Sequence, residues 1–218
     1  MSDTVVYLGP SLALATARSL LEATYLPPIK RGDLALLPGE VRTVGIIDGV
    51  FHQSLAVSPK EIVELLDRGV CIYGASSIGA LRAAETHIYG MVGIGRIFEM
   101  YRDREIDADD EVALAYDPES GRAVSEPLVN IRMTLEAAIA RNIICREEGA
   151  AILASLQQVY YPLRTYQLVV SMAPALVPLL ESCRVDQKGD DAIRLLQTMA
   201  GKEARNRPAR RRTSASMP

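Results

Sequence analysis

Histidine and cysteine are scarce in this chain, two and three respectively among 218 residues, and each scarcity removes a class of site. No zinc-ligand spacing and no phosphate-binding lysine loop occurs, so neither a metal nor a cofactor is expected. The cysteines, Cys71, Cys145 and Cys183, are odd in number and each lies in or beside apolar sequence. They read as reduced core thiols of a cytoplasmic protein. A basic segment leading into a long apolar run is missing at the start, so no signal peptide is expected. The longest nearly apolar run, LVVSMAPALVPLL, is too short for a bilayer and is broken by Pro174 and Pro178, which argues against a membrane role. Charge of one sign does not dominate: the net value is −3. The last eighteen residues hold six Lys/Arg against one acid, which leaves the rest at about −8 and a poor partner for nucleic acid. Residues 201–218 read as a basic, solvated and disordered tail.

What the chain does have is a repeating pattern of apolar runs. TVVYLG, TVGIIDG and VCIYGA lack polar alternation, as strands covered on both faces of a parallel sheet do. Helix-like pieces separate them. SLALATARSLLEATY offers Ser11 as an N-cap, and SPKEIVELLDRG offers Ser58 as N-cap, Pro59 at the first helical position and Gly69 as the stop. This β-α-β-α-β order predicts an α/β fold, a three-layer doubly wound parallel sheet over residues 1–95. From about Gly95 the β pattern vanishes. GRIFEMYRDREI, EPLVNIRMTLEAAIARNII, REEGAAILASLQQVYY and DDAIRLLQTMAG read as helices of a C-terminal subdomain, residues 96–200, packed on that core.

Open parallel sheets bind ligands beyond the carboxyl ends of their strands, which directs attention to the three strand-to-helix turns. GPS supplies Gly9 and Ser11, whose neighbouring amides suit an anion. DGVFHQS puts Asp48, His52 and Gln53 on one loop. GASSIG supplies Ser76 and Ser77, and ASSIG resembles a G-x-S-x-G nucleophile elbow with Ala75 in the first glycine position and Gly79 in the second. In that reading Ser77 is the nucleophile, His52 the base and Asp48 its orienting acid, while helix amides following Ser77 face an oxyanion. His87 is the poorer base, some ten residues beyond Ser77. The competing reading makes both serines helix caps and His52 an ordinary loop histidine.

Other positions carry weaker signals. Arg82, near Glu85, suits an anion clamp or a surface ion pair. Arg164 in YYPLRTY suits a pocket wall or an amphipathic rim. Asn130 and Arg132 in VNIRMT suit a pocket or a solvated face. With Gly9, Ser11, Gln53 and Ser76, Arg82 and Arg164 complete the set of expected substrate-binding residues. DADDE, Asp107 to Glu111, reads as a helix start rather than a metal site. GMVGIG, Gly90 to Gly95, only echoes a dinucleotide fingerprint because no clear strand precedes it.

Taken together and in this order, YLGPSL, ATYLPPIKRGDL, GIIDGVFHQ, YGASSIGALRAAE, YGMVGIGRIFEMYRD, DDEVA, YYPLRTY and VDQK resemble the TfuA-like family up to about residue 200. The resemblance implies a partner of YcaO proteins, ATP-dependent enzymes that activate peptide amide oxygens, in installing backbone thioamides. It further implies a role in sulfur delivery, by releasing sulfide from the C-terminal thiocarboxylate of a ubiquitin-like carrier, with the precursor peptide met only indirectly. A thiocarboxylate is an acyl group with a sulfur leaving group, and an elbow serine with a base and an oxyanion hole is suitable equipment for it. A non-catalytic adaptor that activates YcaO is the alternative. A cysteine persulfide relay, with Cys71 as its nearest candidate, is a third reading.

Overall fold

A computed structural model describes residues 3–51, 55–117, 122–177, 180 and 184–206. Five short strands form one all-parallel sheet: β1 Thr4–Tyr7, β2 Thr24–Leu26, β3 Thr43–Ile46, β4 Cys71–Gly74 and β5 Val92–Gly93, in the order β2-β1-β3-β4-β5. The register pairs Val5 with Val44 and Val44 with Ile72. The chain leaves β1 toward one edge and returns on its other side, so the winding direction reverses between β1 and β3. Such reversals open a crevice at the carboxyl ends of the two strands.

Side-chain alternation along the strands explains the three layers. Val5, Tyr7, Val44, Ile46 and Ile72 point to a face covered by α2 (Pro59–Asp67) and α3 (Ile78–Thr86), with α4 (Arg96–Arg102) beside them. Val6, Leu8, Ile47 and Tyr73 point to the opposite face. There α1 (Leu14–Leu20) contributes Ala17, and the C-terminal helix, labelled α8 here (Gln187–Asn206), contributes Leu195, Leu196 and Met199. A separate apolar cluster joins α5 (Leu128–Ala140), α6 (Arg146–Gln157) and α7 (Tyr166–Met172) through Ile131, Leu135, Ile152, Leu156 and Val169. The expected α/β sheet with a helical C-terminal region is thus the observed architecture.

Local expectations fare unevenly. Ser58 caps α2 in a full capping box with Glu61, and Pro59 opens the helix. Gly69 follows the C-cap at φ +82°, where glycine has no Cβ penalty. Ser11 does not cap α1, which starts at Leu14 after Ala13, because its hydroxyl is held by Asp48. DADDE gives a single 3-10 turn, Asp109–Glu111, rather than a helix start. Its acids are bound elsewhere: Asp110 to Arg164 and Glu111 to Arg132. Strands β2 and β5 were not expected; three half-buried residues and two residues are too short to show a period. Cys71 and Cys145 are exposed rather than in the core, and Cys183 lies outside the described residues.

Candidate functional site

A carboxylate ties together the two loops that flank the β1/β3 crevice. Asp48, buried just beyond β3, accepts hydrogen bonds at Oδ2 from the amides of Gly9 (2.9 Å) and Ser11 (3.1 Å) and at Oδ1 from the Ser11 hydroxyl (2.6 Å). The loop amides expected to face a ligand anion therefore face an anion of the chain itself. A Cβ on Gly9 would meet the Pro28 ring at 2.5 Å, which is why this loop needs glycine to lie so close. Three of the roughly four acceptor sites of Asp48 are engaged, which ties the first two strand-end loops together.

A second internal carboxylate fills the position that a phosphate would need for a dinucleotide reading. Asp191 of α8 accepts from the amides of Arg96 (3.0 Å) and Ile97 (2.8 Å) at the start of α4. Gly95, at φ +95°, leaves room for it, since a Cβ there would sit 2.3 Å from the carboxyl carbon. Gly95, the last glycine of GMVGIG, thus serves a helix-to-helix clamp.

The third turn is different. Gly74 and Gly79 approach so closely that a Cβ on the first would lie 2.2 Å from the Gly79 carbonyl oxygen and one on the second 1.8 Å from that of Ile46. Between them Ser76 adopts φ +68° and the Ser77 amide donates to the Ala75 carbonyl at 2.8 Å, a tight three-residue turn. The bend of the elbow therefore falls on Ser76, one residue before the serine expected to carry it. Ser76 is 0% exposed and its hydroxyl has no hydrogen-bond partner among the described residues. Ser77 occupies the N-cap position of α3 without any side-chain capping bond. Neither hydroxyl caps the helix, so the bland reading of the two serines loses its geometric basis.

Ser77 instead faces a cavity of about 300 Å³ at the switch point. Pro10, Pro28 and the 48–51 segment line one side, Ile78 the elbow side, and Val112 to Tyr116, Tyr161 and Lys188 the rest. The amide of Ile78, first in the helix after Ser77, makes no hydrogen bond among the described residues. That is the position from which an elbow supplies an oxyanion-hole donor. Lys188, on the first turn of α8, is 2% exposed, and its Nζ donates to the Val112 carbonyl at 2.8 Å. Burial pushes its ammonium below the ordinary lysine value, while Asp48 and Asp186 pull the other way. The residues lining the cavity thus include a serine, the first residue of α3 with its unpaired amide and a buried lysine, beside the already engaged Asp48 carboxylate. That donor-rich wall suits an acceptor-rich group such as a carboxylate or its sulfur analogue.

The remaining expected site residues are distributed as follows. His52 and Gln53 lie outside the described residues, although Phe51 beside them lines the cavity. Arg82 lines a neighbouring cavity of about 520 Å³, and its guanidinium donates to the Val57 carbonyl (2.7 Å) and to Glu85 (2.6 Å). Arg164 is 0% exposed and lines neither; it donates to the carbonyls of Leu156, Val159 and Asp110 and to the Asp110 carboxylate. It braces the Asp109–Glu111 turn against the helical cluster. Asn130 bridges Asp186 and the Lys188 amide, and Arg132 pairs with Glu111. His87 bonds the Ala84 carbonyl at the far end of α3. Cys71 opens β4, at the opposite sheet edge from the cavity and roughly 10 Å from Gly74 by strand rise. Among the described residues no group of His, Cys, Asp and Glu is placed to hold a metal, and no helix is long and apolar enough to cross a membrane.

Lys188 is the residue that reading the sequence did not single out. Its only signal was the segment VDQK, every residue of which is used. The Val185 amide bonds Thr134, Asp186 accepts from the Gly189 amide, Gln187 bonds Asp191, and Lys188 reaches the cavity.

Fold and site together define a doubly wound α/β protein with a donor-lined cavity at its switch point, entered beside a strand-turn-helix elbow. The chain belongs to the family described as TfuA-like protein, whose profile matches residues 48–165, from Asp48 through the elbow to Thr165. No curated protein matches the chain.

Proposed function

We propose that this protein is an accessory factor of peptide-backbone thioamidation. It works beside a YcaO-type ATP-dependent enzyme by releasing sulfide from the C-terminal thiocarboxylate of a ubiquitin-like sulfur carrier. Membership of the TfuA-like family supports the pathway, and the chemistry rests on one observation. Ser77 stands in the switch-point cavity with its hydroxyl uncommitted to capping and the free Ile78 amide next to it. In this reading the carrier tail enters over the strand ends and Ser77 Oγ bonds to the thiocarboxylate carbon. The Ile78 amide bonds the developing oxyanion, and the C–S bond breaks to give hydrosulfide and a seryl ester that water hydrolyses. His52 is the base that the sequence offers, and Asp48 the acid to orient it, with most of its acceptor capacity already engaged by the β1 loop.

The adaptor reading draws support from Tyr160 and Leu163, each 66% exposed beside cavity-lining Tyr161, an apolar ledge suited to a protein partner. The two readings separate in one assay, in which purified protein is mixed with thiocarboxylated carrier in the absence of YcaO and sulfide is measured. Multiple-turnover release is the expected result. No release above the carrier alone, with YcaO still accelerated by addition of this protein, would leave the adaptor.

A further inference from the structure

The cavity of about 520 Å³ that Arg82 borders adjoins the Ser77 cavity and shares Phe51 and Ile78 with it. Its wall carries charge of both signs. Arg31 comes from the loop after β2 and Arg82 from α3, while Asp109 and Asp110 come from the 109–111 turn. Part of that charge is answered inside the protein, Arg82 by Glu85 and Asp110 by Arg164. Hydrogen-bonding capacity remains. The Arg82 guanidinium donates to the Val57 carbonyl and to Glu85, which engages two of the five N–H groups such a side chain carries. The Asp109 carboxylate has no hydrogen bond or ion pair among the described residues, and both Asp109 and Arg31 are exposed.

We infer that this second cavity is a binding groove for an extended peptide, the C-terminal tail of the sulfur carrier, with Arg31, Arg82 and Asp109 as its hydrogen-bonding residues. The inference rests on the proposed function, in which the end of that tail reaches the Ser77 cavity. A wall that offers donors and acceptors together discriminates against a simple anion or cation. It matches a polypeptide backbone, whose carbonyls accept and whose amides donate at every residue. Arg31 and Arg82 supply donors for tail carbonyls, and Asp109 an acceptor for tail amides. Helices and paired strands consume those backbone groups internally, so the occupant is an extended segment rather than a folded surface.

The dimensions agree with such an occupant. Taken as spheres, the two spaces are about 8 and 10 Å across, or about 18 Å in line. At about 3.4 Å per extended residue that is a run of about five residues. Phe51 and Ile78 stand where the run passes from one space to the other, and Tyr161 packs edge-on against Phe51 with 5.6 Å between ring centroids. The residue next to the terminal acyl group therefore meets an apolar boundary, and the hydrogen bonds fall on the residues before it.

The test is a binding cycle, in which the full chain meets the carrier in its ordinary carboxylate form and a carrier shortened by about five C-terminal residues. The partner variant is Arg31→Ala/Asp109→Ala, two exposed positions whose truncation leaves the core intact. Shortening the carrier is expected to cost wild type at least about tenfold more affinity than it costs the double variant, because the charged hydrogen bonds to the tail are already gone there. An equal cost in both proteins, within about twofold, overturns the inference, and so does wild type that binds the two carriers alike. Tail-dependent binding coupled as expected, with no sulfide released from thiocarboxylated carrier, removes the serine chemistry and leaves the groove. Sulfide release without that coupling removes the groove alone. Wild type that does not bind the carrier removes the proposed function and this inference with it.

Discussion

At the scale of single residues the protein sets charged groups where ordinary packing would not put them. Arg164 is buried but held by three carbonyls and a carboxylate, so it braces structure. Lys188 is buried with far less compensation, the arrangement in which burial shifts a titration. The sign of the linkage follows. The folded protein holds Lys188 below the ordinary value of 10.5, so the unfolded chain binds more protons at pH values between the two. The contribution to stability is therefore complete above about 10.5 and is lost as pH falls through the folded value. Melting temperatures from pH 7 to 10 should rise more in wild type than in Lys188→Met, and parallel curves would show that the lysine is not depressed. Reading the sequence singled out Ser77, Ser76 and Asp48 as candidates because a loop that follows a β-rich run has a recognisable composition. It passed over Lys188 because one lysine near the start of an amphipathic helix looks like any solvated charge. Only the fold, which brings residue 188 to the end of β3, distinguishes it.

At the scale of elements, the segments legible in advance are those whose ends carry their own chemistry. Ser58, Pro59, Glu61 and Gly69 define α2 at both ends, and Glu61 also accepts from the Gly32 amide at 2.6 Å. Burial pushes the Glu61 carboxyl up, but the Ser58 and Gly32 amides and the Ser58 hydroxyl hold it below the usual range. Ser58→Ala should cost about 1 kcal/mol, or about 2–4 °C in melting temperature for a chain of this size. An unchanged melting temperature would mean that the box adds nothing to the fold. The elements missed in advance lack such local marks. Strand β2 follows α1 so closely that its threonine and tyrosine read as the helix tail, and β5 is two residues long. The 109–111 turn resembled a helix start because acids favour that position, yet its carboxylates answer to Arg132 and Arg164, far along the chain. Long-range pairing of this kind leaves no period in the sequence.

At the scale of the whole molecule, internal carboxylates neutralise two of the amide-rich turns at the sheet's carboxyl edge, Asp48 at the β1 loop and Asp191 at the start of α4. The elbow after β4 keeps its Ile78 amide free of such a partner among the described residues. This vacancy adjoins a cavity lined in part by Ser77 and Lys188, and in the proposed reading it is where acyl chemistry takes place. The helix α8 that covers one sheet face also carries Lys188, so the same element contributes to the core and to the cavity wall. The central claim is that Ser77 is the nucleophile, and sulfide release from thiocarboxylated carrier by folded Ser77→Ala, beside wild type and Ser76→Ala, tests it most directly. The account predicts a loss of at least about 100-fold for Ser77→Ala, with Ser76→Ala losing less because its hydroxyl has no hydrogen-bond partner among the described residues and Ser76 is not among the residues lining the cavity. Release at the wild-type rate by Ser77→Ala would contradict it.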